Sequence, residues 1–177
     1  GVQTCALPIY TNGTVFPKSA ELWNHFRRVE IAFSIDNLGK RFEYERYGAK
    51  WDEVQSNINK FTQMRSNKIS TQLCLTVNIQ NVYYLPEMCD WVSSQTFDHV
   101  HFNMLHDPWQ MCVARMTSEA QELVINRLTA HQFDPRYRAE ILRIIQFIQN
   151  GDGSDGQEFL NKMQTADEYR QQSFLTT

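Results

Sequence analysis

The period of the apolar positions changes several times along the chain, and these changes predict alternating strands and helices. The run VEIAFSI, residues 29–35, is short, apolar and β-prone, which is typical of a buried strand. The segment TQLCLTVNIQNVYYL, residues 71–85, has an apolar residue at every second position from Leu73 to Ile79, which predicts a long strand with one buried face. The run HVHFNML, residues 99–105, predicts a further strand.

Helical spacing separates these strands. Apolar residues recur every three or four positions from Trp51 to Phe61, which predicts an amphipathic helix. Residues 19–28 predict a helix with Ser19 at its N-cap, and LPEMCDWVSSQ predicts a short helix with Pro86 at its start. The polar segment DNLGKRFEYERYGAK, residues 36–50, is predicted to be a loop.

This order predicts an α/β fold with parallel strands, because strands that alternate with helices are joined by crossovers that place the helices outside the sheet. The last third changes character. It predicts three amphipathic helices, at residues 117–132, 135–149 and about 157–173, with the flexible stretch NGDGSDG before the third.

Composition excludes some function classes. The chain has 177 residues, a net charge of −3 and 42% hydrophobic residues. The weakly acidic balance does not favour a nucleic-acid partner, and no apolar run approaches the roughly 18 residues of a membrane span. The four cysteines follow no CxxC or zinc pattern, which favours free thiols and a cytoplasmic protein.

The beginning of the chain raises a separate question. GVQTCALPI, residues 1–9, resembles the translation of a common sequencing adaptor, so we expect these residues to be a cloning or sequencing artefact. Directly after it comes YTNGT, in which the Asn12–Gly13 step predicts a tight turn, since glycine accepts a positive φ without steric cost.

Polar residues follow the predicted strands at the edge where parallel sheets bind ligands. Asn12 follows the first strand, and Ser34 and Asp36 end the second. The apolar residue Leu105 ends the fourth strand at the same edge. Arg46, in the segment after the second strand, is placed to hold a carboxylate at the same edge. In the alternative interpretation, the polar residues only build turns, and Arg46 pairs with a nearby glutamate on the surface.

Several motifs in a fixed order resemble the radical S-adenosylmethionine (SAM) enzymes, and most closely the group with a "twitch" extension. They are TNGT, SIDN after an apolar strand, RFEYERYGAKWDEVQSNINKF, and VNIQNVYYLPEMCDW. The resemblance implies an incomplete parallel (β/α)6 partial TIM barrel over residues 10–116. A helical C-terminal extension follows over residues 117–177. Asn37 stands where the family usually has glycine, and asparagine tolerates the left-handed backbone expected there.

What the resemblance implies about chemistry is specific. The parent enzyme would bind SAM at a [4Fe–4S] cluster and generate a 5′-deoxyadenosyl radical that takes hydrogen from a substrate, either a peptide or a small molecule. A flavodoxin or ferredoxin would be the reductant. Ser34 and Arg46 would contact the SAM carboxylate, Asp36 and Asn12 the ribose or substrate side, and Leu105 the adenine.

The CxxxCxxC loop and the Gly-Gly-Glu stretch of that family are absent from this sequence. We therefore expect the chain to be an inactive fragment whose upstream part, with the cluster ligands, was replaced by adaptor-derived residues. The alternative function is a noncatalytic binding or accessory protein with a degenerate α/β barrel.

Overall fold

Four parallel strands form one sheet in chain order, β1-β2-β3-β4. The structure, a computed structural model, describes residues 6–153 and 156–176. The strands are β1 (Leu7–Thr11), β2 (Val29–Ser34), β3 (Ile69–Val77) and β4 (His99–Met104). The predicted α/β class with a parallel sheet is confirmed, while the partial barrel stays a prediction. Residues 1–5 of the proposed adaptor segment lie outside the described residues, and Leu7–Ile9 form part of β1.

Helices lie between and after the strands. The α-helices are α1 (Gly39–Glu45), α2 (Trp51–Gln63), α3 (Leu85–Ser94), α4 (Ser118–Ala130), α5 (Arg138–Gln149) and α6 (Gln157–Arg170). Short 3₁₀ helices occur at Ala20–His25, Val82–Tyr84, Trp109–Met111, Val113–Arg115 and Phe174–Thr176. The predicted helices of the last third and those at Trp51 and Leu85 are confirmed. Within the described ranges, no helix has the length and apolar character needed to cross a membrane.

Three local predictions were wrong. The segment predicted to be a polar loop contains α1, whose Phe42 and Tyr44 are buried. The predicted helix before β2 is a single stretch of 3₁₀ helix, and the Ser19 side chain makes no capping hydrogen bond. Strand β3 ends at Val77 and does not continue to residue 85.

Asparagine side chains explain why β3 ends where it does. The Asn78 backbone N–H donates to Asn81 Oδ1 at 2.9 Å, and the Gln80 N–H donates to Asn78 Oδ1 at 2.8 Å. Such local bonds offer the backbone an alternative to the strand ladder. The alternation of apolar residues in the sequence therefore continues to Ile79, although the strand ends at Val77.

The chain divides into two compact units, and β3 and β4 run from the first into the second. The first unit is Gly1–Leu75 with Gln95–His101, and the second is Thr76–Ser94 with Phe102–Thr177. In the first unit, one face of β2 and β3 is buried, and Phe33 of β2 meets Phe61 of α2 at a ring distance of 5.3 Å.

The second unit contains α3 to α6. Arg127 of α4 donates through Nε to the Tyr83 carbonyl at 2.8 Å and through Nη2 to Glu87 Oε1 at 2.6 Å. In the same unit, Phe102 and Tyr137 pack with ring centroids 5.7 Å apart. Arg127 thus connects α4 to α3 and to the short helix before it, and the aromatic pair connects β4 to the residue before α5.

The turn after β1 has the predicted geometry. Gly13 has a φ of 77°, and Asn12 Oδ1 accepts hydrogen bonds from the Thr14 backbone N–H and hydroxyl at 3.1 and 2.7 Å. The Gly13 carbonyl accepts a buried hydrogen bond from Asn57 Nδ2 of α2 at 2.9 Å. The turn is therefore fixed both locally and against a helix.

We expect Gly13→Ala to destabilise the protein more than Gly48→Ala. Both glycines have a positive φ, which costs alanine about 1–2 kcal/mol. A Cβ at Gly13 would also lie 2.9 Å from Val54 Cγ1, whereas a Cβ at Gly48 meets nothing within 4 Å. Urea unfolding of both variants measures the difference, and equal losses would contradict the packing seen at Gly13.

Candidate functional site

The carboxyl end of β2 brings two of the predicted residues to one side of the chain. Ser34 is the last residue of β2, and Asp36 follows two positions later, so both side chains point the same way in extended backbone. Between them, Ile35 is fully buried on the other side. Within the described part of the chain, the Ser34 hydroxyl makes no hydrogen bond.

Arg46 reaches this edge from the C-terminal cap of α1. Its Nη2 atom donates to Asp36 Oδ2 at 2.7 Å, and the two side chains are 30% and 15% exposed. Glu43, by contrast, accepts from the Trp51 backbone N–H at 3.0 Å and pairs with Lys50. The ion pair of Arg46 is thus made with Asp36 of the predicted site and not with a surface glutamate.

Asn37 connects the end of β2 to both ends of α1. Its side chain is buried, and its Nδ2 donates to Glu45 Oε1 at 3.0 Å. Its Oδ1 accepts from the Leu38 N–H at 3.1 Å and from Arg41 Nε at 3.0 Å. The expected left-handed backbone at Asn37 is wrong, since the positive φ after β2 belongs to Gly39. Asparagine is required here for its amide.

The Glu45 carboxyl group has an unusual proton affinity. Burial raises its pKa from 4.5 to about 7, and the nearby charge of Asp36 adds to this rise. The hydrogen bond from Asn37 and the charges of Arg46 and Arg41 act in the opposite direction. Glu45 therefore changes its charge near neutral pH, next to the Asp36–Arg46 ion pair.

This raised pKa predicts a loss of stability as the pH increases. The folded protein holds the Glu45 proton up to a pH near 7, while the unfolded chain releases it near 4.5, so stability falls between these values. The loss is about 1–3 kcal/mol from pH 5 to pH 8. Glu45→Gln should remove it. Urea unfolding at pH 5 and pH 8 measures this loss in the free energy of unfolding. In the control variant Glu43→Gln, the loss should be the same as in the wild type.

Cys74 belongs to the same edge, although sequence reasoning did not select it. It is the register partner of Ser34 on the neighbouring strand. Burial raises the pKa of its thiol, and the Asp36 charge raises it further, which places Cys74 near that carboxylate. The alternation along β3, in which Cys74 lies on the face opposite the buried leucines, was the signal that could have found it.

Asn12 and Leu105 are the two other residues that the sequence predicted for the site. Asn12 is exposed, and its side-chain oxygen is used within its own turn, as the turn-building alternative predicted. Leu105 belongs to the second unit, where its backbone N–H donates to the Val77 carbonyl at 3.0 Å. The roles assigned to both residues stay predictions.

An iron–sulfur cluster does not fit the side chains that the structure describes. Within residues 6–153 and 156–176, no three His, Cys, Asp or Glu side chains are grouped so as to hold a metal. Cys74 lies in the first unit, whereas Cys89 and Cys112 are buried in the second. Burial raises the pKa of the Cys89 thiol to about 12, so it is not a ready thiolate.

SAM, in contrast, suits the donors at the end of β2. Its carboxylate requires hydrogen-bond donors, and Ser34 and Arg46 supply a hydroxyl and a guanidinium. The second unit offers a different kind of cavity, of about 310 Å³ between α4 and α6, with mostly apolar walls. Among the residues that the structure describes, no carboxylate or basic side chain lines it.

The comparisons with known proteins add no relative to this description. No family model, no curated protein and no solved structure matches the chain.

Proposed function

We propose that this chain is part of a radical SAM enzyme and that the residues after β2 bind SAM. Arg46 and Ser34 hold its carboxylate, and Asp36 orients Arg46. The observation that supports this most is the Arg46–Asp36 ion pair at 2.7 Å, which Asp36 makes two positions after Ser34, the last residue of β2, at the carboxyl edge of a parallel sheet. Ligands of parallel α/β folds bind at that edge.

The donor geometry supports the proposal. A guanidinium has five N–H donors in a fixed fork, and Asp36 Oδ2 accepts from only one of its nitrogens, Nη2. The remaining donors are available for a carboxylate, and the 30% exposure of Arg46 gives a ligand access to them. When bound, SAM supplies the reactive adenosyl group. The residues of this chain orient its head group.

The cluster, the reductant and the substrate belong to the parent protein in this proposal. The CxxxCxxC loop is missing from the sequence, so the proposal assigns the cluster ligands to a preceding segment of a longer chain. The reductant is a flavodoxin or ferredoxin, and the substrate is a peptide or a small molecule.

The experiment extends the reading frame upstream in the source nucleic acid and expresses the longer protein. We expect a CxxxCxxC loop and a Gly-Gly-Glu stretch in the extension. After anaerobic reconstitution with iron and sulfide, the longer protein should bind a cluster and release 5′-deoxyadenosine from SAM when reduced. A start codon directly before Tyr10 would contradict the proposal and support a noncatalytic binding protein.

The 177-residue chain provides the matched control for that experiment. Treated in the same way, it is expected to assemble no stoichiometric cluster and to release no 5′-deoxyadenosine, because it lacks the closely spaced thiolates. Iron analysis and visible absorbance measure the first outcome, and chromatography measures the second. A stoichiometric cluster on this chain alone would contradict the assignment of the ligands to another segment.

A further inference from the structure

The residues that surround Arg46 form two successive cross-links between the loop after β2 and the end of α1. Asp36 binds Arg46 at 2.7 Å, and the next residue, Asn37, binds Glu45, the residue before Arg46, at 3.0 Å. We call these four residues the paired clamp. Within it, Asp36 and Arg46 already have a part in the proposed function, whereas Asn37 and Glu45 do not.

Two adjacent loop residues hold Glu45 and Arg46 close together, since Asn37 binds the Glu45 carboxylate at 3.0 Å and Asp36 binds the Arg46 guanidinium at 2.7 Å. The charged side chains that interact with Glu45 are Asp36, from the loop after β2, and Arg41 and Arg46, from α1 and its C-terminal cap. Asn37 is buried, and its Oδ1 accepts from the Leu38 N–H and from Arg41 Nε, which holds the amide in place. Its Nδ2 donates to Glu45 within the clamp and so fixes the position of Glu45.

We propose that Glu45 sets the affinity of Arg46 for a carboxylate, and that Asn37 is the positioning residue that holds Glu45 beside it. The inference rests on the carboxylate site of the proposed function. With Glu45 neutral, Arg46 faces one carboxylate of the clamp, that of Asp36, and binds a second one from a ligand. With Glu45 ionised, an additional negative charge repels the incoming carboxylate.

The direction of the pH effect follows from this arrangement. Because the pKa of Glu45 is raised to about 7, the group is mostly neutral at pH 6 and mostly ionised at pH 8. Carboxylate binding should therefore be tighter at pH 6. For one additional charge at this close range in a partly exposed site, the expected change in affinity is about three- to tenfold.

The test uses the 177-residue chain and acetate as the probe. Acetate stays ionised at both pH values, since its pKa resembles that of other carboxylic acids. Side-chain ¹⁵N NMR of Arg46 gives the dissociation constant at pH 6 and pH 8. The wild type should bind about three- to tenfold more weakly at pH 8. Glu45→Gln should show the tight affinity at both values, and Glu43→Gln should behave as the wild type.

Asn37→Ala separates the positioning role from the charge. Without the amide, Glu45 loses the donor that holds it beside Arg46, so the pH dependence of acetate binding should shrink while Arg46 still titrates with acetate. A wild-type affinity that is the same at pH 6 and pH 8, or a pH dependence that persists in Glu45→Gln, would overturn the inference.

S-adenosylhomocysteine, which carries the same carboxylate as SAM, distinguishes this inference from the proposed function. If acetate binding follows the predicted pH dependence and S-adenosylhomocysteine does not bind, the clamp operates as inferred and the proposed SAM site is wrong. If S-adenosylhomocysteine binds at Arg46 with no influence of Glu45, the proposed function stands and the inference fails.

Discussion

Phe61→Ala is expected to lower the free energy of unfolding by about 3–5 kcal/mol, which is the usual cost of removing a buried phenylalanine. Phe61 is 1% exposed and lies at the centre of an aromatic cluster in the first unit. Its ring lies 4.7 Å from that of Phe16, 5.8 Å from Trp23 and 5.3 Å from Phe33. Alanine would leave a cavity that three rigid rings cannot fill.

Urea unfolding of the 177-residue chain measures this loss. Leu22→Ala is the matched control, since Leu22 is apolar, lies in the same unit and is 52% exposed. Its substitution should change stability by no more than about 0.5 kcal/mol. A loss below about 1 kcal/mol for Phe61→Ala would show that the aromatic cluster is not the core of this unit.

The second large effect concerns Arg46 in the parent enzyme. Arg46→Ala is expected to weaken SAM binding about ten- to a hundredfold, which corresponds to the loss of a charge-assisted hydrogen bond worth about 1.5–3 kcal/mol. The release of 5′-deoxyadenosine should fall with it at subsaturating SAM. The iron content should not change, because Arg46 is not a cluster ligand in the proposal.

Titration of SAM into the reconstituted variants measures this effect. Arg28→Ala is the control, because Arg28 pairs with Glu30 on the surface of the same unit with 62% of its side chain exposed. Such pairs contribute at most about 1 kcal/mol to stability, and this one lies at the opposite end of β2 from Ser34. If Arg46→Ala binds SAM with the affinity of the wild type, Arg46 is not part of the SAM site.

Much of the fold could be predicted from local patterns. Strand β2 and helix α2 each bury one continuous face. The apolar run of the strand and the helical spacing of the helix therefore identify these elements from the sequence without tertiary information. The turn at Gly13 was predictable for a similar reason, because an Asn-Gly step has few other stable conformations.

The side-chain network of the site could not be predicted in this way. Five acidic residues lie within ten positions of Arg46, and the sequence does not show which one it binds: Asp36, Glu43, Glu45, Asp52 and Glu53. The choice depends on α1, which was predicted to be a loop: once that helix forms, Trp51 engages Glu43, and Asn37 engages Glu45. Arg46 binds Asp36, which lies on the other side of α1 in the sequence.

The raised pKa of Glu45 is a further property that only the fold determines. In the sequence, Glu45 is one of several acidic residues in a polar segment. Burial is the largest cause of its raised pKa, and the fold places Glu45 in contact with the buried amide of Asn37. Local composition carries no signal for it.

The central claim is that the carboxylate of SAM binds to Arg46. The most direct test is an anaerobic crystal structure of the parent enzyme with SAM bound, in which the distance from the Arg46 guanidinium nitrogens to the SAM carboxylate oxygens is measured. We predict a hydrogen bond of about 2.7–3.2 Å from Arg46, with the Ser34 hydroxyl as a second donor. A SAM carboxylate bound elsewhere, with Arg46 still engaged only by Asp36, would contradict the claim.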